Sequence, residues 1–534
     1  MGSSIRSPSG SSLACLAMLW IVPALSCGCS GVREYVANGL KVGPNYATPP
    51  AQVTQNWIDA GDERVRSECD DLSQWWTVFN DPVLNSLICC AYHQNLTLRQ
   101  AGFRVLQARS QLNIDRGNLF PQAQYASGDF TRKAISQATA NVFPNAHTSQ
   151  WDFAFNLNWE LDFWGRFRRA LEADCANLDA SVANYDDVLV TLLGDIATNY
   201  AQLRTFQQRI KYATDNVQVQ RETLAIVEAR FRAGTTNEVD MLQARSTLEQ
   251  TEADVPELQI GLRQANNRLC ILLGMPPAEL AERLGPGQIP TAPPEVAVGI
   301  PADLLRRRPD VRRAERQAAA QSALIGVAQA AFYPALAING TLGYSAAHFP
   351  DLFQPKAFMG NVGPSFHWDL LNYGRILNNV CLQDARFQEL VAAYQHTVLT
   401  AAEDVENGLV TFLRAQQRTR LQQASVDDAE KAVRIALAQY RAGTIDFTQV
   451  TQLEQALVLQ QDTLARARNE IASGLIQVYR ALGGGWELRS TDCPPTDLPP
   501  QGTAPPEGTS PPPAEPLPAP HAEPGLEEGA RNLP

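Results

Sequence analysis

"WELDFWGRFRRA" spans Trp159–Ala170 and "WDLLNYGRILNN" spans Trp368–Asn379. Laid over each other, the two passages share Trp, Leu, an aromatic, Gly and Arg at five positions, 209 residues apart. The same offset puts "FRAGT" (Phe231–Thr235) on "YRAGT" (Tyr440–Thr444), Tyr185 on Tyr394, Asp195 on Asp404 and Leu248 on Leu457. It also puts Leu273-Gly274 on Leu482-Gly483. One register therefore holds from Trp159 to Gly274 without an insertion, which marks a tandem duplication rather than a short solenoid repeat. Upstream, Phe120-Pro121 falls on Tyr333-Pro334 at an offset of 213, so the loop between differs by four residues.

Each half reads in the same order. A helix comes first, about Val83–Leu119 and about Pro309–Phe332, and Phe-Pro or Tyr-Pro ends it. Two strand-like stretches around a polar loop follow. They are "QAQYASGDFT" and "WDFAFNLNWEL" in the first half, and "ALAINGTLGYS" and "FMGNVGPSFHWDL" in the second. Trp151, Phe153, Phe155, Leu157 and Trp159 alternate with Asp152, Asn156 and Asn158, the period of a strand with one apolar and one polar side.

The passages that open on Trp159 and Trp368 turn strand into helix at Gly165-Arg166 and Gly374-Arg375, where glycine accepts the bend. The helices that follow run without proline from about Arg166 to Ala233 and from about Arg375 to Ala442. At 1.5 Å per residue each is about 100 Å long. Val188, Leu189, Leu192, Ile196, Tyr200, Leu203, Phe206 and Ile210 form one apolar stripe, the face of a helix packed on partners. Gly234 and Gly443 are expected as left-handed caps. Return helices run to Leu273 and Leu482, the first expected to be interrupted at Pro256.

The chain is 534 residues long, room for two or three domains, with a net charge of -12 and a pI near 5.1. That balance argues against a nucleic-acid partner, since phosphate binding needs clustered bases. The basic run Arg306-Arg307-Arg308 with Arg312-Arg313 reads instead as a helix junction, with Pro309 at its first position and Asp310 at the positive end of its dipole. Ten cysteines and six histidines show no metal or redox spacing, and Cys89-Cys90 are unsuited to bridging each other. No nucleophile, phosphate loop or catalytic cluster is legible, so no enzyme, cofactor or metal is expected.

The N-terminal run Leu13–Leu25 is too short to span a bilayer and suits a signal peptide. "SCGCSG" (Ser26–Gly31) then resembles a bacterial lipobox, with Cys29 as the lipidated residue and Cys27 as the alternative. From Cys493 to Pro534 the chain is rich in Pro, Glu and Ala, a composition that builds no core.

Four strands per chain cannot close a membrane barrel, which needs at least about eight. They suffice when several copies share one barrel. The expected fold is mainly α with a small β part: a long helical coiled-coil barrel joined to a transmembrane β-barrel shared between copies, with eight strands in a dimer or twelve in a trimer. The assigned segments are a signal peptide (1–28), a lipidated tether and equatorial segment (29–75), two repeats (76–290 and 291–486) and a disordered Pro-rich tail (487–534).

The chain resembles the TolC-like outer membrane factor family, in its lipoprotein branch serving resistance-nodulation-division efflux pumps. "VGPNYATPP" (Val42–Pro50), "WWTVFNDPVLNSLI" (Trp75–Ile88), "LLRRRPDVRRAE" (Leu304–Glu315), "AAFYPAL" (Ala330–Leu336) and the paired junction and turn motifs carry the likeness. It implies a homotrimer with a twelve-stranded barrel in the outer membrane, an N-terminal lipid in that membrane, and a periplasmic α-barrel. The duct would meet a periplasmic adaptor and an inner-membrane pump, and would conduct small solutes passively. A polypeptide-secretion duct of the same fold, and a lipid-anchored coiled-coil scaffold without a pore, are the alternatives. The resemblance also implies an acidic ring closing the periplasmic tip. Asp240 stands at that place in the first half, but Gln449 holds the second-half position and Gln452 follows one turn later, so amides partly replace the acids.

Overall fold

The computed structural model describes residues 33–493 other than 34, 69, 70, 135, 137–146, 286 and 492. The signal peptide, Cys27, Cys29 and residues 494–534 lie outside the described residues.

The first repeat contributes helices α1 (Pro82–Gln94) and α2 (Leu96–Gly117), then strands β1 (Ala123–Ala134) and β2 (His147–Leu161). Helices α3 (Arg166–Arg232) and α4 (Glu238–Leu272) complete it. The second repeat follows with α5 (Pro309–Ala330), β3 (Ala335–Ala346), β4 (Phe358–His367), α6 (Arg375–Ala442) and α7 (Phe447–Ala481). The 209-residue register is visible in space. Helices α3 and α6 start at Arg166 and Arg375, and α4 and α7 start at Glu238 and Phe447.

The four strands form one antiparallel sheet in the order β1-β2-β3-β4, so the two repeats join through β2 and β3. The main core lies around the middle of the long helices. Trp75, Trp76, Phe79, Leu84 and Leu87 from the N-terminal segment pack there with Leu189, Leu193 and Tyr200 of α3 and Val405, Leu409 and Phe412 of α6. A two-residue parallel ladder, Val65–Arg66 with Val296–Ala297, ties that segment to the linker between the repeats.

Three expectations need correction, and one bond adds to them. The helix read as Val83–Leu119 is two helices. Asn95 breaks it, its side chain accepting the Leu98 N–H at 2.8 Å as an N-cap and donating to the Leu272 carbonyl at 2.8 Å. Conversely, Pro256 does not interrupt α4, which runs through it. Pro256 lies on the exposed face, where water can serve the carbonyl it frees. The tail assigned from residue 487 is folded at its start: Leu488–Thr491 is a helical turn with Leu488 buried. Finally, Cys89 is bonded to Cys493, 404 residues away, with Cα atoms 5.5 Å apart. No sequence spacing announced that bridge.

Candidate functional site: a two-faced sheet on paired junctions

The registers place Phe130, Trp151, Phe153, Phe155, Leu342, Tyr344, Phe358 and Val362 on one face of the sheet. Several are open to solvent in the single chain: Phe155 is 48% exposed and Val362 68%. The opposite face is a ladder of small polar side chains. Asn156 donates to Ser127 at 3.0 Å and accepts from Thr341 at 3.0 Å. Asn158 donates to Asn339, which donates to Ser365 at 2.7 Å. One face suits lipid and the other suits water. Among the described residues, strands β1 and β4 each keep one edge unpaired. Such edges need closure by another copy, since unpaired backbone in a bilayer costs several kcal/mol per group.

Below the sheet, Gly165 and Gly374 take left-handed angles at φ +78° and +80°. The junction indoles hold the ends of the preceding helical segments. Trp159 donates to the Leu119 carbonyl at 3.4 Å and Trp368 to the Phe332 carbonyl at 2.9 Å. Arg166 pairs with Glu160 at 3.0 Å and Arg375 with Asp369 at 3.4 Å, equivalent ion pairs in the two repeats.

The first junction is covered by a strap, residues 35–48. Tyr35 stacks on Phe163 and donates to its carbonyl at 2.5 Å. Arg168 donates to the Gly39 and Leu40 carbonyls at 2.9 and 2.8 Å. The buried Arg169 donates to the Val42 and Gly43 carbonyls at 3.0 and 2.9 Å and pairs with Glu172 at 2.7 Å. The Val-Gly-Pro motif explains itself here: a Cβ on Gly43 would stand 2.4 Å from Gly326 Cα of α5.

The arginine run fastens the repeats together. Arg308 grips Asp310 with two bonds of 3.0 and 2.7 Å and reaches Asp404 of α6 at 3.2 Å. Arg312 pairs at 2.6 Å with Asp186, which is fully buried on α3, and Arg313 pairs with Asp187 at 2.9 Å. The junction reading of this run therefore holds, and these arginines are held by carboxylates.

At the far end, the two Arg-Ala-Gly-Thr turns have one geometry. Gly234 and Gly443 have φ +68° and +77°. The Thr235 and Thr444 N–H groups close back on the Arg230 and Gln439 carbonyls, both at 3.0 Å. Asp240 lies in the first turn of α4, its N–H capped by Asn237 at 2.8 Å and its carboxylate held by Thr236. Gln449 and Gln452 are exposed at the start of α7. Beyond them, Glu454 is buried in the seam between the repeats.

A two-faced sheet with open edges, carried on helices of about 100 Å, defines a channel-forming protein with a TolC-like fold. The family described as outer membrane efflux protein matches residues 87–275 and 300–484. The chain belongs to that family, and it is an outer membrane efflux duct. Nodulation protein T of Rhizobium leguminosarum bv. trifolii is 30% identical over 457 residues, 84% of this chain and 95% of its own. Pyoverdine export outer membrane protein OpmQ of Pseudomonas putida is 30% identical over 433 residues, covering 78% of this chain and 89% of its own. Among solved structures, the outer-membrane channel OprN superposes with a TM-score of 0.78 at 33% identity, over 84% of this chain and 99% of that one. CusC gives 0.72 at 25% identity, over 83% and 100%.

Proposed function

We propose that the protein is the exit duct of a tripartite efflux system and conducts small solutes across periplasm and outer membrane with no chemistry of its own. Three copies assemble, their sheets closing one twelve-stranded barrel and their long helices one tube below it. The observation that carries this reading is the open, two-faced, four-stranded sheet. Its apolar face calls for lipid, its Asn and Ser ladder for a wet lumen, and its edges for other copies. The pump supplies the energy and a periplasmic adaptor joins it to the duct. Asp240, Gln449 and Gln452 line the periplasmic aperture, which amides make less acidic than a ring of carboxylates. Cys29, or Cys27 in its place, carries a lipid in the outer membrane, a short chain length before the strap that begins at Tyr35.

Purified protein in planar bilayers is expected to pass ionic current. A strain lacking the gene is expected to become sensitive to small toxic solutes, and the wild-type gene to restore resistance. No current together with unchanged sensitivity would remove the duct. Labelled palmitate is expected in the wild type and to be lost in Cys29→Ser; label persisting in that variant moves the anchor to Cys27.

A further inference from the structure

The seam between α3 of the first repeat and α7 of the second holds a carboxyl group that no cation pairs with among the described residues. Along α7, Phe447, Val450, Glu454, Leu457, Gln461 and Leu464 recur at steps of three and four, the spacing of a packed stripe. Glu454 occupies an apolar place in that stripe. It is 4% exposed, among Val450, Leu453 and Leu457 of its own helix and Leu224 and Val227 of α3.

The polar groups around it are short of one hydrogen. The Thr223 hydroxyl lies 2.8 Å from Glu454 Oε1 and 3.0 Å from the Val219 carbonyl, so one proton faces two acceptors. A neutral Glu454 supplies the missing hydrogen, because a protonated carboxyl can donate to the Thr223 hydroxyl and leave the Thr223 proton to the Val219 carbonyl.

The charged side chains on the surrounding helices do not compensate it. On α3 and α4, Arg221 pairs with Glu252 and Arg245 with Glu228, while Glu222 and Glu249 are exposed. On α6, Lys431 pairs with Asp428, Glu430 accepts from Gln461, and Arg434 is exposed. On α7, no other charged residue lies between Asp446 and Asp462. Burial lifts the Glu454 carboxyl to about 7, against a smaller downward pull from Thr223.

We propose that Glu454 is a proton-held latch between the two repeats: protonated, it closes the α3–α7 seam, and ionised, it draws water in and loosens the seam near the periplasmic end. The consequence for conduction rests on the duct reading; the latch itself does not. The sign follows from linkage. The folded chain binds this proton more tightly than the unfolded one, so the stabilisation is present below about pH 4.5 and is lost as pH rises through about 7.

The test uses the full-length protein in nanodiscs. Infrared difference spectra between pH 5.5 and 8.5 should contain a carboxylic-acid carbonyl band that Glu454→Gln deletes. The fall in melting temperature over that range should be reduced in Glu454→Gln and in Glu454→Met. In bilayers, wild-type opening should rise with pH while Glu454→Gln loses much of that response. Identical infrared spectra and pH profiles in wild type and variant overturn the latch. If Glu454→Gln does not fold, glutamate-specific isotope labelling of the wild type decides: a labelled acid band titrating near 7 supports the latch, and its absence overturns it. No current from any variant, with the infrared band intact, counts against the duct and not the latch.

Discussion

The two strand-to-helix junctions began as copies and now sit in different surroundings. Gly165 and Gly374 bend the chain with nearly the same left-handed φ, +78° and +80°. Around Gly165 the strap is so close that an added Cβ would stand 2.5 to 2.8 Å from Lys41 atoms, its Cα among them. Around Gly374 the same atom would meet, among the described residues, only the Asn378 side chain at 3.4 Å. Trp164 stacks on Tyr333 at 4.4 Å, whereas Tyr373, its equivalent, is 97% exposed. The motif thus encodes the bend, and the N-terminal strap decides what the bend supports. Duplication supplied two similar staves, and one of them became the seat of the N-terminal strap.

The comparison breaks most visibly on valine. Gly165→Val combines left-handed strain with a backbone collision and is expected to cost more than about 3 kcal/mol, with loss of most assembled protein on size-exclusion chromatography. Gly374→Val carries the strain alone, about 1–2 kcal/mol, and should retain most of its assembly. Equal losses would erase the distinction between the junctions. Arg169→Met should come next, at about 3 kcal/mol, because it leaves the Val42 and Gly43 carbonyls without their buried donor. Limited trypsin digestion should then cut at Lys41 in the variant before the wild type. Tyr35→Ala removes a stacked ring and one hydrogen bond, about 1–2 kcal/mol, and should free the strap's first residues on hydrogen exchange without unfolding α3. The smallest difference lies between the indoles. Trp368→Phe should cost about 1 kcal/mol and Trp159→Phe about half that, following bonds of 2.9 and 3.4 Å. Denaturant titration of the pair would reverse the order if the indoles serve packing alone.

What was legible in the sequence was whatever the chain states twice. The starts of α3 and α6, the caps at Gly234 and Gly443, and the strand pairs each had a second copy to check against. The arginine run was legible from helix-start chemistry alone. Contacts made only once, between distant residues, were not. Cys89 and Cys493 share no local pattern across 404 residues, and the strap's fit over Gly165 depends on a groove that exists only after α3 and α5 have packed. Asn95 could have been found, since Asn before a helical turn is a capping signal, but no proline or glycine stands beside it to mark the break. Glu454 also left a trace: it interrupts an apolar stripe, yet beside the tip it reads as one more surface acid. Only burial separates the two readings.

Several copies close one barrel with four strands each. Electron cryomicroscopy of the full-length protein in nanodiscs tests it most directly. Three copies around one axis, with twelve strands in the disc and a helical tube about 100 Å long below it, is the predicted result. A single chain whose sheet edges remain open, or a rod of paired helices with no density in the bilayer, would contradict it.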